Sequence, residues 1–252
     1  MSLFALPTAT YKAIPLQCGR RRLQHQLLPI FTRTASPSTP SARPQFHQRT
    51  YTMAVNGNQG LRLKNPNIFV CDIQEKFQTA IHEFDKIVLT TKKLLVFANN
   101  FSIPVHTTTQ TVAKLGPTVP SLASLLTSPA HDKTKFSMYI PPIAAQLAPA
   151  SSVALVGIES HICITQTALD LRDAGHRVYV IADAVSSCNP AEVTVALDRL
   201  RAEPGVTVTT SESWMYETVG DASHPGFKSL LGVVKTSLAD TKTVLGALPP
   251  KI

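Results

Sequence analysis

The chain has 252 residues, 44% hydrophobic and 16% charged, which suits one large domain or two small ones with a proper core and is unlike a disordered chain. Its net charge of +8 is uneven: residues 1–52 carry seven Lys/Arg and no acid, and the other 17 Lys/Arg face 16 Asp/Glu. A body this close to neutral has no electrostatic footprint for nucleic acid, and no apolar run approaches the ~18–20 residues that cross a bilayer.

The leader, residues 1–52, is rich in Arg, Ser and Thr, free of acid, and interrupted by Pro7, Lys12 and Pro15. That composition is expected of a mitochondrial transit peptide and not of a secretory signal. Arg49-Thr50-Tyr51-Thr52 resembles a matrix-processing site, with cleavage expected after Tyr51. A start at Met53 would yield a cytosolic form. Of the four cysteines, Cys18 lies in the leader; Cys71, Cys163 and Cys188 fit neither a disulfide scaffold nor a zinc pattern.

Beyond the leader, strands alternate with helices. Residues 67–71 form an apolar run expected as a buried strand ending at Asp72. Phe77, Ile81, Phe84, Val88, Leu95 and Ala98 make one helical stripe, with stops at Asn99 and Asn100. Residues 103–108 are a second strand, with Pro104 tolerated only near its start. Residues 109–134 read as a loop, a length that is usually functional inside a compact domain. A third strand covers 152–157, and a helix over 160–174 ends at Gly175. A fourth strand over 177–181 leads to Asp183. Asn189-Pro190-Ala191-Glu192 opens another helix, with Asn as N-cap and Pro at the first helical position. Residues 206–209 are a fifth strand, Phe227, Leu230, Leu231 and Val234 mark a last helix, and 239–252 read as a tail. The expected domain spans 61–240. The fold class is α/β: a three-layer αβα arrangement on a mainly parallel sheet, with right-handed crossovers.

In such sheets ligands bind beyond the carboxyl ends of the strands. Cys163 lies there, at the start of a helix whose free N–H groups and dipole favour a thiolate and can receive an oxyanion. Asp72, at the tip of the first strand, can carry a proton or cap the following turn. Lys135, after the long loop, would stabilise both anions if it reached them. His161 is two residues from Cys163, but their side chains should diverge. Trp214, Met215 and Tyr216 suit an exposed cluster as well as core packing.

The strings Cys71-Asp72-Ile73-Gln74-Glu75-Lys76-Phe77, Lys133-Thr134-Lys135-Phe136-Ser137 and Gly157-Ile158-Glu159-Ser160-His161-Ile162-Cys163 resemble, in that order, the isochorismatase-like cysteine hydrolases. The isochorismatase domain-containing branch is the nearest match. Ala182-Asp183-Ala184-Val185-Ser186-Ser187 and Gly220-Asp221-Ala222-Ser223-His224-Pro225-Gly226 extend the resemblance over roughly 64–238. It implies about six strands and an Asp–Lys–Cys triad, carried onto Asp72, Lys135 and Cys163. It also implies a cis peptide between Ile158 and Glu159, with the N–H groups of Glu159 and Cys163 aimed at one oxyanion, and a pocket shaped by Gln74, Phe77, Gln110 and Phe136. The implied chemistry is hydrolysis of a small amide through a thioester. Vinyl-ether hydrolysis and a non-catalytic binding or scaffold role stand as alternatives. The nicotinamidases of this superfamily hold a metal with an Asp and two His; here 106–112 offers His106 and no carboxylate, so neither metal nor cofactor is expected. Partners are expected to be a small-molecule substrate and further copies of the chain, with no nucleic acid or membrane.

Overall fold

A computed structural model describes residues 60–249. The leader, with Cys18, the processing motif and Met53, lies outside the described residues, as do 250–252. In chain order the elements are β1 (Pro66–Cys71), a 3-10 turn (Glu75–Phe77), α1 (Phe84–Phe101), β2 (Val105–Gln110), the short helices α2 (Val112–Leu115) and α3 (Pro120–Ala123), and β3 (His131–Lys133). There follow α4 (Pro141–Ala144), β4 (Ser152–Ile158), a π turn (Ser160–Ile164) running into α5 (Thr165–Asp173), and β5 (Arg177–Ser186). The chain continues through α6 (Pro190–Ala202), β6 (Val206–Thr209), α7 (Ser211–Val219), α8 (Phe227–Thr236) and α9 (Leu238–Leu245). No described helix is long and apolar enough to cross a membrane.

The six strands form one parallel sheet in the order β3-β2-β1-β4-β5-β6. β1 and β4 are buried along their whole length, as the apolar runs require when helices cover both faces. One face holds Ile68, Val70, Val156 and Ile181 under α1, α7, α8 and α9; the other holds Phe69, Leu155 and Val180 under α5 and α6. Trp214 and Met215 are fully buried in the first layer, Trp214 edge-on to Phe97 at 5.9 Å, whereas Tyr216 is exposed. The strand order reverses between β1 and β4, so the crevice expected to hold ligand opens between Asp72 and the β4 turn.

Several expectations are corrected. Residues 75–83 do not join α1, because Glu75 N–H donates to Pro117 O, Val119 N–H to Ile73 O, and Gln74 bridges to Thr118. Those bonds hold the segment against the loop until Glu83, at a left-handed φ of 51°, turns the chain into α1. The 109–134 segment is not a plain loop but carries α2, α3 and the edge strand β3. Residues 239–249 are not a free tail: α9 buries Thr241 and Val244, and buried Lys93 donates to Thr241 Oγ1 at 3.0 Å. Asp183 does not end its strand either; β5 runs on to Ser186, and the Asp183 carboxylate is spent on Ser211 N–H and Oγ at the start of α7. Asn189 precedes α6 as expected, but its side chain makes no capping bond.

Gly157 makes the β1–β4 seam possible. Its φ is +113°, and a Cβ there would lie 2.0 Å from Cys71 O. Gly157→Ala should therefore cost more than about 4 kcal/mol, because both clashing partners are backbone of central strands. A urea melt checks this; a midpoint within experimental error of wild type would show that the seam opens freely.

Two buried histidines give stability an acid limit. Burial, with His131 nearby, pushes His106 below the usual histidine value, and burial does the same to His176, whose Nδ1 accepts Ser151 N–H at 3.2 Å. The unfolded chain then binds more protons, so these contributions are present above about pH 6.5 and are lost as pH falls below it. His176→Gln keeps an acceptor without the titration. It should shrink the drop in melting temperature between pH 7.5 and 5.5 by about 2–4 °C; an unchanged drop would contradict the assignment.

Candidate active site

Asp72 follows the last residue of β1 with φ 52°, a left-handed turn that breaks strand alternation. Its carboxylate accepts Thr108 Oγ1 at 2.8 Å, Lys133 Nζ at 2.7 Å and the Cys71 thiol at 3.5 Å. It is 1% exposed, and it caps no helix: Gln74 precedes the 3-10 turn. One ligand atom each from Asp72, Cys163 and Cys71 all lie within 4.8 Å of one another. Cys163, 8% exposed, sits early in a continuous helical run over 160–173, as the sequence predicts. The Ile158–Glu159 peptide is cis, again as expected.

The lysine at Asp72 is Lys133, not Lys135. Lys133 ends β3 opposite Gln110, is 6% exposed, and donates to Asp72, to Gln110 Oε1 at 2.7 Å and to Phe136 O at 3.1 Å. Burial works against its ammonium, yet the Cys71 sulfur and the Asp72 carboxylate outweigh it and hold its pKa above the usual lysine value. The chain leaves the sheet after Lys133 and bends. Lys135 is thereby turned outward, 55% exposed in its side chain, and pairs with Asp170 at 2.7 Å. The signal that identifies Lys133 is the rule that site residues cluster at strand ends, but His131-Asp132-Lys133 is too short and polar to be read as a strand. The Asp132 carboxylate anchors it, accepting Thr109 Oγ1 at 2.9 Å and Val112 N–H at 2.8 Å.

The expected pocket residues divide. Gln74 is fully buried and spent at both ends: its Oε1 accepts Gln110 N–H, and its Nε2 donates to Gln110 O and Gly116 O. It braces the loops and presents no free polar atom to a ligand. Gln110 orients Lys133. Phe77 packs on the α1 side of the core, and Phe136 is 57% exposed, its backbone carbonyl accepting from Lys133 Nζ. His161 turns away from Cys163, its Nδ1 3.0 Å from Ser187 Oγ. Glu159 directs its side chain to the Cys188 N–H at 2.8 Å.

Sequence reasoning missed Cys71. It is fully buried and touches Asp72 and Cys163; burial, its hydrogen bond with Cys163 and the Asp72 charge push its thiol well above the usual cysteine value. Adjacent strand residues normally face opposite ways, and only the turn at Asp72 lets 71 and 72 converge. The donors do not make a metal centre of the nicotinamidase kind. His106 Nε2 is engaged with Asn67 Oδ1 at 3.2 Å, Asp132 holds the β2–β3 corner, and the Lys133 ammonium already supplies a cation to Asp72.

The arrangement can therefore hold a sulfur nucleophile, a carboxyl proton carrier and a fixed cation around one small ligand. Residues 66–213 match the Isochorismatase domain model. The chain is 41% identical over 176 residues to isochorismatase domain-containing protein 1 of Danio rerio, a match covering 69% of this chain and 62% of that protein. It is also 41% identical over 177 residues to isochorismatase domain-containing protein 2 of Bos taurus, covering 69% and 85%. The match thus spans less than two thirds of the fish protein. Among solved structures, the MAR1 ribonuclease of Caenorhabditis elegans superposes with TM-score 0.66 at 40% identity, covering 73% of this chain and 94% of that one. The Escherichia coli YcaC gene product, described as an octameric hydrolase of unknown specificity, shares the fold at TM-score 0.63 and 18% identity, covering 78% and 97%. On sequence and fold together, the chain belongs to the isochorismatase family.

Proposed function

We propose that this protein hydrolyses a C–N bond of a small amide through a thioester on Cys163. The observation that carries the reading is the buried Asp72–Lys133 ion pair with Cys163 Sγ within 4.8 Å of the carboxylate group. Cys163 attacks the carbonyl carbon, and its proton passes to Asp72. The oxyanion is received by backbone N–H groups of Glu159 and Cys163 at the start of the 160–173 helical run. Asp72 returns the proton to the leaving nitrogen, and water drawn towards Asp72 then frees the acid. Lys133 compensates charge on Asp72 throughout, in a setting where burial magnifies that effect. Asp72, Lys133 and Cys163 are all less than a tenth exposed, which favours a compact substrate over a polymer.

Alkylation tests the nucleophile without a substrate. Partial desolvation and the Glu159 carboxylate push the thiol of the exposed Cys188 up, whereas Cys163 stands early in the 160–173 helical run beside the Asp72–Lys133 pair. At pH 7 iodoacetamide should label Cys163 at least about tenfold faster than Cys188. Equal rates would favour a non-catalytic binding role. The accompanying screen of small amides should include an RNA oligonucleotide, because the C. elegans relative bears the name ribonuclease. RNA cleavage lost in Cys163→Ala would replace the small-amide reading.

A further inference from the structure

Cys71 has no part in the acyl-transfer steps, yet it is a second thiol inside the same centre. Its sulfur lies within 4.8 Å of Cys163 Sγ, on the same face of the sheet, and 3.5 Å from Asp72 Oδ2. It is fully buried, so a reagent from solvent meets Cys163 first. Among the described residues, no third thiol joins this cluster; Cys188 is exposed and lies outside it.

We propose that Cys71 is the resolving thiol for oxidised Cys163, so that hydroperoxides switch the site off reversibly by forming a Cys71–Cys163 disulfide. The inference rests on the nucleophile reading of Cys163. The Cys163 sulfur attacks one oxygen of a hydroperoxide; the O–O bond breaks, and Cys163 becomes a sulfenic acid as the peroxide is reduced to alcohol or water. The Cys71 sulfur then attacks the Cys163 sulfur. The S–S bond forms, the S–OH bond breaks, and the Cys71 proton, taken up by Asp72, leaves with the hydroxyl as water. The sulfurs must close to ~2.05 Å, which asks for an approach of under ~3 Å from the present spacing. That is the reach of side-chain rotation with a small shift in the first turn after β4. A dithiol reverses the change by thiol exchange. The protected burial of Cys71 suits this role: its raised pKa keeps it protonated and inert until a sulfenic acid sits beside it.

The test uses the full chain, hydrogen peroxide and mass spectrometry of non-reduced digests after iodoacetamide capping. The expected product joins the peptides of Cys71 and Cys163, two hydrogens lighter than the pair, and dithiothreitol restores both thiols. In Cys71→Ala, and in Cys71→Ser as a second variant, Cys163 should instead gain two oxygens, with at least about tenfold more irreversible sulfinic acid than in wild type. Oxidised Cys163 with Cys71 still a free thiol would overturn the inference while leaving the nucleophile reading intact. A Cys163 no more reactive than Cys188 towards peroxide and iodoacetamide would overturn both.

Discussion

Lys133→Met is expected to slow hydrolysis by about 10²–10³-fold, whereas Lys135→Met leaves it within about twofold. The two lysines are separated by one residue but by a large difference in surroundings. Lys133 is enclosed with Asp72 at 2.7 Å; Lys135 reaches over the surface to Asp170. Removing Lys133 strands a buried carboxylate, so stability should also fall by about 3–5 kcal/mol, while an exposed pair such as Lys135–Asp170 contributes about 0–1 kcal/mol. Activity on the amides recovered by screening and the rate of Cys163 alkylation measure the chemistry; urea melts measure the fold. The Asp72→Asn/Lys133→Met double variant separates the two. It removes both charges, so it should regain much of the stability and stay inactive. A Lys133→Met enzyme with near-normal rates, or a Lys135→Met enzyme without them, would reverse the assignment.

Cys163→Ala should abolish amide hydrolysis, by about 10⁴-fold or more, with the fold intact. The side chain is small and borders the crevice, so truncation leaves only a shallow space beside Cys71. Asp72 and Lys133 remain paired in this variant, and any reaction that needs only a proton donor would persist. Vinyl-ether cleavage is such a reaction. Cys163→Ala therefore discriminates between the two hydrolytic chemistries as well as testing the nucleophile. Cys163→Ser is a sharper form of the same question, since it keeps a hydroxyl in place of the thiol at nearly the same volume. Loss in both variants points to the thiolate itself.

The legible parts of this protein are those where one physical rule acts alone. Ile68, Phe69 and Val70, and the run from Val153 to Val156, are apolar because helices cover both faces of β1 and β4, and both strands stand where the pattern puts them. Asp72 and Cys163 follow from those two strands and the helix after β4. Lys133 did not follow, because β3 is held by register with β2 and by the Asp132 carboxylate, not by any hydrophobic period. The stripe from Phe77 to Ala98 has helical spacing, yet tertiary bonds from Gln74 and Glu75 to the 116–118 loop delay the helix to Phe84. Cys71 reads as a strand residue facing away from Asp72, and only a left-handed turn brings the two together. The positions hardest to read thus sit around the site, where backbone and side chains depart from regular geometry to gather charge.

The most direct measurement is the intact mass of the protein quenched in acid during turnover of an amide found by screening. An adduct equal to the acyl group is expected, mapped to the peptide carrying Cys163, absent from Cys163→Ala and cleared by water at the rate of turnover. Hydrolysis that continues in Cys163→Ala without any such adduct would contradict the thioester on Cys163.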